Sequence, residues 1–392
     1  MPSIPPTMLA AVVTLVFVVT HHLAAQTNAI IGIVDFYGLR QITEVQVRQA
    51  LQFAEGDAIT QSALTSAASR LRALPGISDA RIEGVCCENG TRIVYVGIEE
   101  KESRAMRFNP SPTGQTRLPA DIVRAGAAFE AALEKAVERG DFQEDQSRGH
   151  SLLHDPSARA VQEGFVAMAD RYGQQLRGVL RESDAPEQRA LAAQVLGYAT
   201  DKASVVADLS SAMRDADAGV RNSALRALWL IAAFAQKNPN RKIQVAAEPF
   251  VDLLNSLTWT DRNKSSLALM SLTEPRDPAL LSMLRQKAVP ALTEMARWKS
   301  RGHALAPVII LGRVAGIPEK DLAAAAASGN HAAIVDSALK RLSAGRPKEK
   351  AARQDEEDYR SVIGRPPRKH GCVMTAVMLS EPATNLSTRS YD

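Results

Sequence analysis

The segment Asp215–Leu228, DADAGVRNSALRAL, carries the reading of the fold. Two acids precede a turn, Val220 and Arg221 open a helix, and Ala224, Leu225, Ala227 and Leu228 follow at steps that place them on one helical face. A second copy, SDAPEQRALAAQVLGYA, starts at Ser183: Asp184 stands before its helix, Arg189 lies 32 positions before Arg221, and Leu196 lies 32 before Leu228. Two worn copies begin at Trp259 (WTDRNKSSLALMSL) and Trp298 (WKSRGHALAPVIIL), and in each a leucine, Leu272 or Leu311, falls 13 positions after the Trp. A shorter apolar helix is predicted before every copy, at Leu176, Val206, Phe250 and Val289. The unit is therefore a helix pair, and one pair buries both apolar faces only when a neighbour stacks on it.

On these motifs residues 172–316 resemble HEAT repeats, with one or two capping helices extending the array to residue 342. The resemblance implies an all-α superhelical solenoid. It also gives the repeat positions Asp184, Arg189, Asp215, Asp217, Val220 and Arg221 mechanical roles. Asp215 or Asp217 would cap the second helix, Val220 would fill the core between helices, and Arg221 would reach a carboxylate or carbonyl of an adjoining repeat.

Residues 30–101 have a different grammar. IIGIVDFYGL reads as a strand, Thr43 and Gln46 have capping-box spacing for a first helix, and a second helix after Thr60 is stopped by Pro75 and Gly76. Two strands then flank ENGT, whose Asn89 and Gly90 suit a tight hairpin turn. The order β-α-α-β-β, with GIVDFYGL, LQFAEGDAIT and LRALPGISDARI at its corners, resembles a POTRA domain. The resemblance implies a module of a bacterial-type envelope that contacts protein or extended polypeptide, often along a sheet edge, and it does not imply a catalytic residue. In a three-stranded sheet it makes Ala80, Arg81, Ile82, Glu83, Gly84 and Val85 an edge strand, with Arg81 and Glu83 toward solvent. The expected fold class is mixed: a small α+β domain followed by an all-α solenoid.

The remaining segments bound the function. The apolar run Met8–Thr20 is long enough for a signal-peptide core and too short for a span, so residues 1–25 read as a signal peptide cleaved after Ala25. A periplasmic or secreted protein follows, with no membrane-spanning segment after cleavage. Glu102–Pro119 reads as a linker, since it lacks apolar periodicity and has three prolines. Residues 120–171 form a helical cap, with helices predicted at 120–145 and 157–172. From Ser343 to Asp392 mixed charges and turn residues read as a disordered tail. The formal charge of +4, from 47 basic and 43 acidic residues, implies no field for nucleic acid. Cys86, Cys87 and Cys372 have no metal or redox spacing, and neither a cofactor nor a metal is called for.

One stretch invites an enzyme. In GDFQEDQSRGHSLLHDP, His150 and His154 would share a face if helical, with Glu144 close by, which makes a metal-dependent enzyme the alternative. A passive spacer is the other. The expectation is a non-enzymatic protein-binding scaffold.

Overall fold

The computed structural model describes residues 29–344 apart from 104–105, 142 and the side chains of Ala29, Cys86 and Cys87. The segment 1–25 read as a signal peptide, Cys372 and the tail beyond residue 344 lie outside the described residues. A small N-terminal sheet domain is followed by a mostly helical region.

The first domain runs β1 (Ala29–Tyr37), α1 (Glu44–Leu51), β2 (Ala58–Ile59), α2 (Gln61–Arg72), β3 (Ile77–Glu88) and β4 (Thr91–Glu100). The local signals act where the sequence puts them. Thr43 and Gln46 form a reciprocal capping box on α1, and Thr60 caps α2 by accepting from the Ala63 N–H. Asn89 and Gly90, at φ 51° and 76°, make the turn between β3 and β4. The sheet order is β2-β1-β4-β3, with β1 parallel to β4 and β3 antiparallel to it. There are four strands rather than the expected three, because Ala58 and Ile59 pair with the start of β1. A two-residue strand has no periodicity by which to be read.

β4 is covered on both sides. Val94, Val96 and Ile98 join Ala80 and Ile82 of β3 under Leu64 and Leu71 of α2. On the opposite face Ile93 and Tyr95, with Val85 and Tyr37, belong to the core of the helical region. The Tyr37 ring lies over Gly97, where an added Cβ would come within 2.6 Å of it, so that position requires glycine.

In the helical region, α3 (Ala120–Glu138) and α4 (Pro156–Glu182) flank a short hairpin of β5 (Glu144–Asp145) and β6 (Leu152–Leu153). α4 continues through Leu176, so the separate helix expected there is its C-terminal half, held by one buried stripe from Phe165 to Leu180. Then follow α5 (Pro186–Leu196), α6 (Ala203–Ser211), α7 (Ala218–Lys237), α8 (Glu248–Leu253), α9 (Trp259–Leu272), α10 (Pro278–Lys287), α11 (Val289–Met295), α12 (Arg301–Val314), α13 (Glu319–Ser328) and α14 (His331–Ala344). α5, α7, α9, α12 and α14 pack on one another in succession, while α6, α8 and α11 lie beside α7, α9 and α12. α10 is an insertion that the aligned copies do not contain.

A series of buried arginines ties the succession together. Arg189 donates to the Ser183 carbonyl at 2.8 Å, Arg221 to the Asp215 carbonyl at 2.9 Å and Arg262 to the Ser256 carbonyl at 2.6 Å, each reaching back six residues. Each also reaches a carboxylate further along: Arg189 to Asp215 at 2.7 Å, Arg221 to both oxygens of Asp261 at 2.9 and 2.7 Å, and Arg262 to Glu294 at 3.4 Å. Asp217, not Asp215, caps α7, accepting from the Gly219 N–H. Val220 is fully buried.

The segment read as a linker is instead a strap laid along the helix ends. The Asn109 N–H donates to the Arg214 carbonyl at 2.6 Å, Gly114 bonds Glu182 and Asp184 through its backbone, and the Leu118 N–H donates to Gln188. Asp184 engages Arg117 and Gln115 of this strap and does not cap α5. The Phe108 ring lies 3.6 Å from the Arg221 guanidinium carbon. Prolines and missing periodicity describe an extended strap as well as a free linker, and only the partners separate them.

Arg221→Ala leaves the fully buried Asp261 carboxylate without its arginine partner and is expected to cost about 3–5 kcal/mol in denaturant unfolding. Arg221→Met combined with Asp261→Leu should recover most of that loss. A single variant as stable as the parent would contradict this role.

Candidate functional site

β3 is the outermost strand of the sheet, as expected for Ala80–Val85, but its faces are not as expected. Alternation sends Ala80 and Ile82 under α1 and α2, and Gly84 lies toward Leu64. Arg81, Glu83 and Val85 fall on the other face. That face is turned to the helical region, which buries Val85 and most of Glu83 and leaves Arg81 half exposed. The Arg81 guanidinium donates to Thr258 Oγ1 at 2.8 Å, and Glu83 accepts from the Trp259 N–H at 2.9 Å and from Thr260 Oγ1 at 3.3 Å. The solvent-facing assignment is thus overturned for Glu83, whose carboxylate is covered, whereas Arg81 reaches Thr258 with 45% of its side chain still exposed.

These contacts complete the helices they touch. Neither Thr258 nor Ser300 caps α9 or α12 with its own side chain. Glu83 binds the first amide of α9, and Asp35 of β1 accepts from the Lys299 N–H at 2.8 Å, next to the start of α12. Two carboxylates of the sheet therefore stand at the positive ends of two helices of the other domain. Burial raises the Glu83 carboxyl above the usual range, against the opposing pull of Arg81 and the Trp259 amide, and burial likewise raises Asp35. In the copy at Asp215, by contrast, Asp217 supplies the cap from its own loop.

Between the two caps the contact is aromatic. Tyr95 stacks on Trp259 with ring centroids 4.9 Å apart at 18°, and lies against Trp298 at 4.7 Å. Its hydroxyl shares a 2.7 Å hydrogen bond with His303 Nδ1. Tyr37 meets Trp298 edge-on, donates its hydroxyl to the Leu257 carbonyl at 2.8 Å, and carries Arg262 over its ring at 4.5 Å. Around the rim Lys299 reaches the Val34 carbonyl and Glu55, each at 2.8 Å, and Arg40 pairs with Glu294. The result is an edge strand on a sheet whose broad face is bolted to helices.

Tyr37, Asp35, Tyr95, Trp259, Trp298, Arg262 and Glu294 were not singled out for this role in the sequence. Three signals for it were present: a Trp at the same position of both worn copies, the loss of the capping Asp from those copies, and a β4 apolar at every position from Ile93 to Val96.

The second candidate set disperses. The segment 144–153 is a hairpin rather than a helix, so His150 and His154 do not share a helical face. Glu144 pairs with Arg226, His150 lies buried with Nδ1 2.9 Å from Lys202 Nζ, and His154 is exposed. Among the described residues no group of three His, Cys, Asp or Glu could hold a metal ion, and no helix is long and apolar enough to cross a membrane. The chain matches no protein-family model and no curated protein.

Tyr95→Ala is expected to cost about 3–5 kcal/mol and to free the sheet, giving a separate, earlier transition in urea. Tyr95→Phe, which keeps the ring and loses the bond to His303, should cost about 1 kcal/mol. Glu83→Ala removes a cap supplied from outside the helix and should cost about 1–2 kcal/mol. An unshifted single transition for Tyr95→Ala would show that the aromatic contact does not hold the domains together.

Proposed function

We propose that this chain is an exported, non-catalytic scaffold of a bacterial-type cell envelope that holds extended polypeptide along β3, with the helical array as its rigid base. The signal-like run Met8–Thr20 supports export. A parallel β1 beside the last strand, with α1 and α2 on one face, supports the POTRA-like reading of residues 30–101. The successive packing of α5, α7, α9 and α12, with the six-residue arginine pattern, supports the HEAT-like reading of residues 172–316.

The observation that carries the proposal is the edge itself. β3 is 12 residues long and outermost, so its outward backbone groups offer the ladder to which an incoming strand adds. The opposite edge, β2, has two residues and offers almost none. Because Glu83 and Tyr95 anchor the sheet, the edge is presented in a fixed orientation, and little ordering of the sheet opposes capture.

Amide hydrogen exchange on the full chain, with and without an excess of synthetic extended peptides about a dozen residues long, tests this. Added strands should slow exchange in Ile77–Glu88 and leave β2 unchanged. Protection confined to the helical region, or none at any peptide concentration, would reject β3 as the capture site.

A further inference from the structure

A pocket of about 640 Å³, lined by no residue of the four-stranded sheet, opens among the β5–β6 turn, the start of α6 and the end of α7. That volume lies within the ~300–1,000 Å³ typical of small-molecule sites. Its lining divides by chemistry. Val166, Phe234 and Ile243 supply an apolar surface, and Arg148, Lys202 and Arg241 supply positive charge. The one acid in the wall, Asp201, is engaged by the Ala203 and Ser204 amides of α6 at 3.1 and 3.3 Å.

Lys202 is the unusual member. Its side chain is buried, yet its two partners, the Gly197 carbonyl at 2.8 Å and His150 Nδ1 at 2.9 Å, are neutral groups. A buried ammonium without a carboxylate is costly, and a nitrogen with three donors has one left to give. His150 is 6% exposed, and its Nε2 has no hydrogen-bond partner. With Nδ1 accepting from Lys202, Nε2 carries the proton and is a second unspent donor. Asp170, an acid outside the wall whose charge acts on Lys202, already accepts from the Thr200 amide and hydroxyl at 2.9 and 2.6 Å.

We propose that this pocket binds a small organic carboxylate, with its head group on Lys202 and His150 between the charges of Arg148 and Arg241, and its apolar chain on Val166, Phe234 and Ile243. The ligand's carboxylate supplies the counter-charge that the protein withholds from Lys202. Proton coupling follows. Burial pulls the Lys202 amine down to about 7, and burial with the adjoining Lys202 and Arg148 holds His150 down at about 4. Above about pH 7 the empty site therefore holds a neutral amine, and a bound carboxylate recharges it. Binding takes up a proton there, and affinity falls as the pH rises from 7. The groups bearing on this titration are His150, Arg148, Arg241, Asp170, Asp201 and Tyr198, and the Tyr198 hydroxyl stays neutral because burial raises it further.

Isothermal titration of the full chain with octanoate, octanol and inorganic phosphate tests the assignment. Octanoate should saturate one site, with octanol and phosphate each weaker by about tenfold or more. Near pH 8 the octanoate heat should vary with buffer ionisation enthalpy in the sense of proton uptake. Lys202→Gln should lower octanoate affinity about tenfold. Arg148→Gln with Arg241→Gln, both exposed and so harmless to folding, should lower it several-fold. Octanol binding as well as octanoate would reduce the site to an apolar cavity, and phosphate binding as well would reduce it to a plain anion site. Either result, the absence of saturation, or an unchanged affinity in the folded double Arg variant would overturn the proposal.

Discussion

Tyr95, held between Trp259 and Trp298, is the contact on which the rest of the arrangement depends. An aromatic ring placed on two others removes apolar area from water and fixes orientation at once, since ring pairs favour particular offsets and tilts. The polar contacts around it would be weak alone. Glu83 and Asp35 are useful as caps only because the aromatic contact holds the sheet over the ends of α9 and α12. The helices in turn lack caps of their own at those ends, so each domain completes the other.

The arginine series extends this coupling along the helical region. Each arginine bonds a carbonyl six residues back and a carboxylate further on, which sets the spacing of successive units through directional, charge-assisted bonds. Desolvation offsets much of the attraction in buried ion pairs of this kind, so their removal one partner at a time costs far more than the intact pair contributes. Thr258 joins the two systems: it accepts from Arg221 of the series and from Arg81 of the sheet. Phe108 of the strap covers the same Arg221, so three segments distant in sequence converge on one guanidinium.

This layout separates two surfaces. The sheet occupies the ends of α9 and α12, whereas the cationic pocket lies among residues 147–150, 200–203 and 234–243. An edge strand suits an extended partner of undefined sequence, because backbone groups are the same in every polypeptide. The pocket, with its buried amine and imidazole, suits a small ligand of defined head group. The intervening helices are closely packed, so the two surfaces are held in constant relation.

Local chemistry alone determined much of this protein. The capping box at Thr43, the cap at Thr60, the Asn89–Gly90 turn and the apolar spacing of Asp215–Leu228 each depend on residues within one or two turns of chain, and each forms as read. The break of α4 expected before Leu176 did not occur, since burial of one continuous stripe outweighs weak local stop signals. Which face of a strand meets solvent is not a local property, so Arg81 and Glu83 could be placed on a face but not told from residues against a second domain. The same limit applies to residues 106–119, to the scattering of Glu144, His150 and His154, and to Lys202, which reads as an ordinary helix-start lysine until its two partners, a carbonyl and an imidazole, are assembled. Alternation and helical period prescribe orientation within an element, and only tertiary packing supplies what lies opposite.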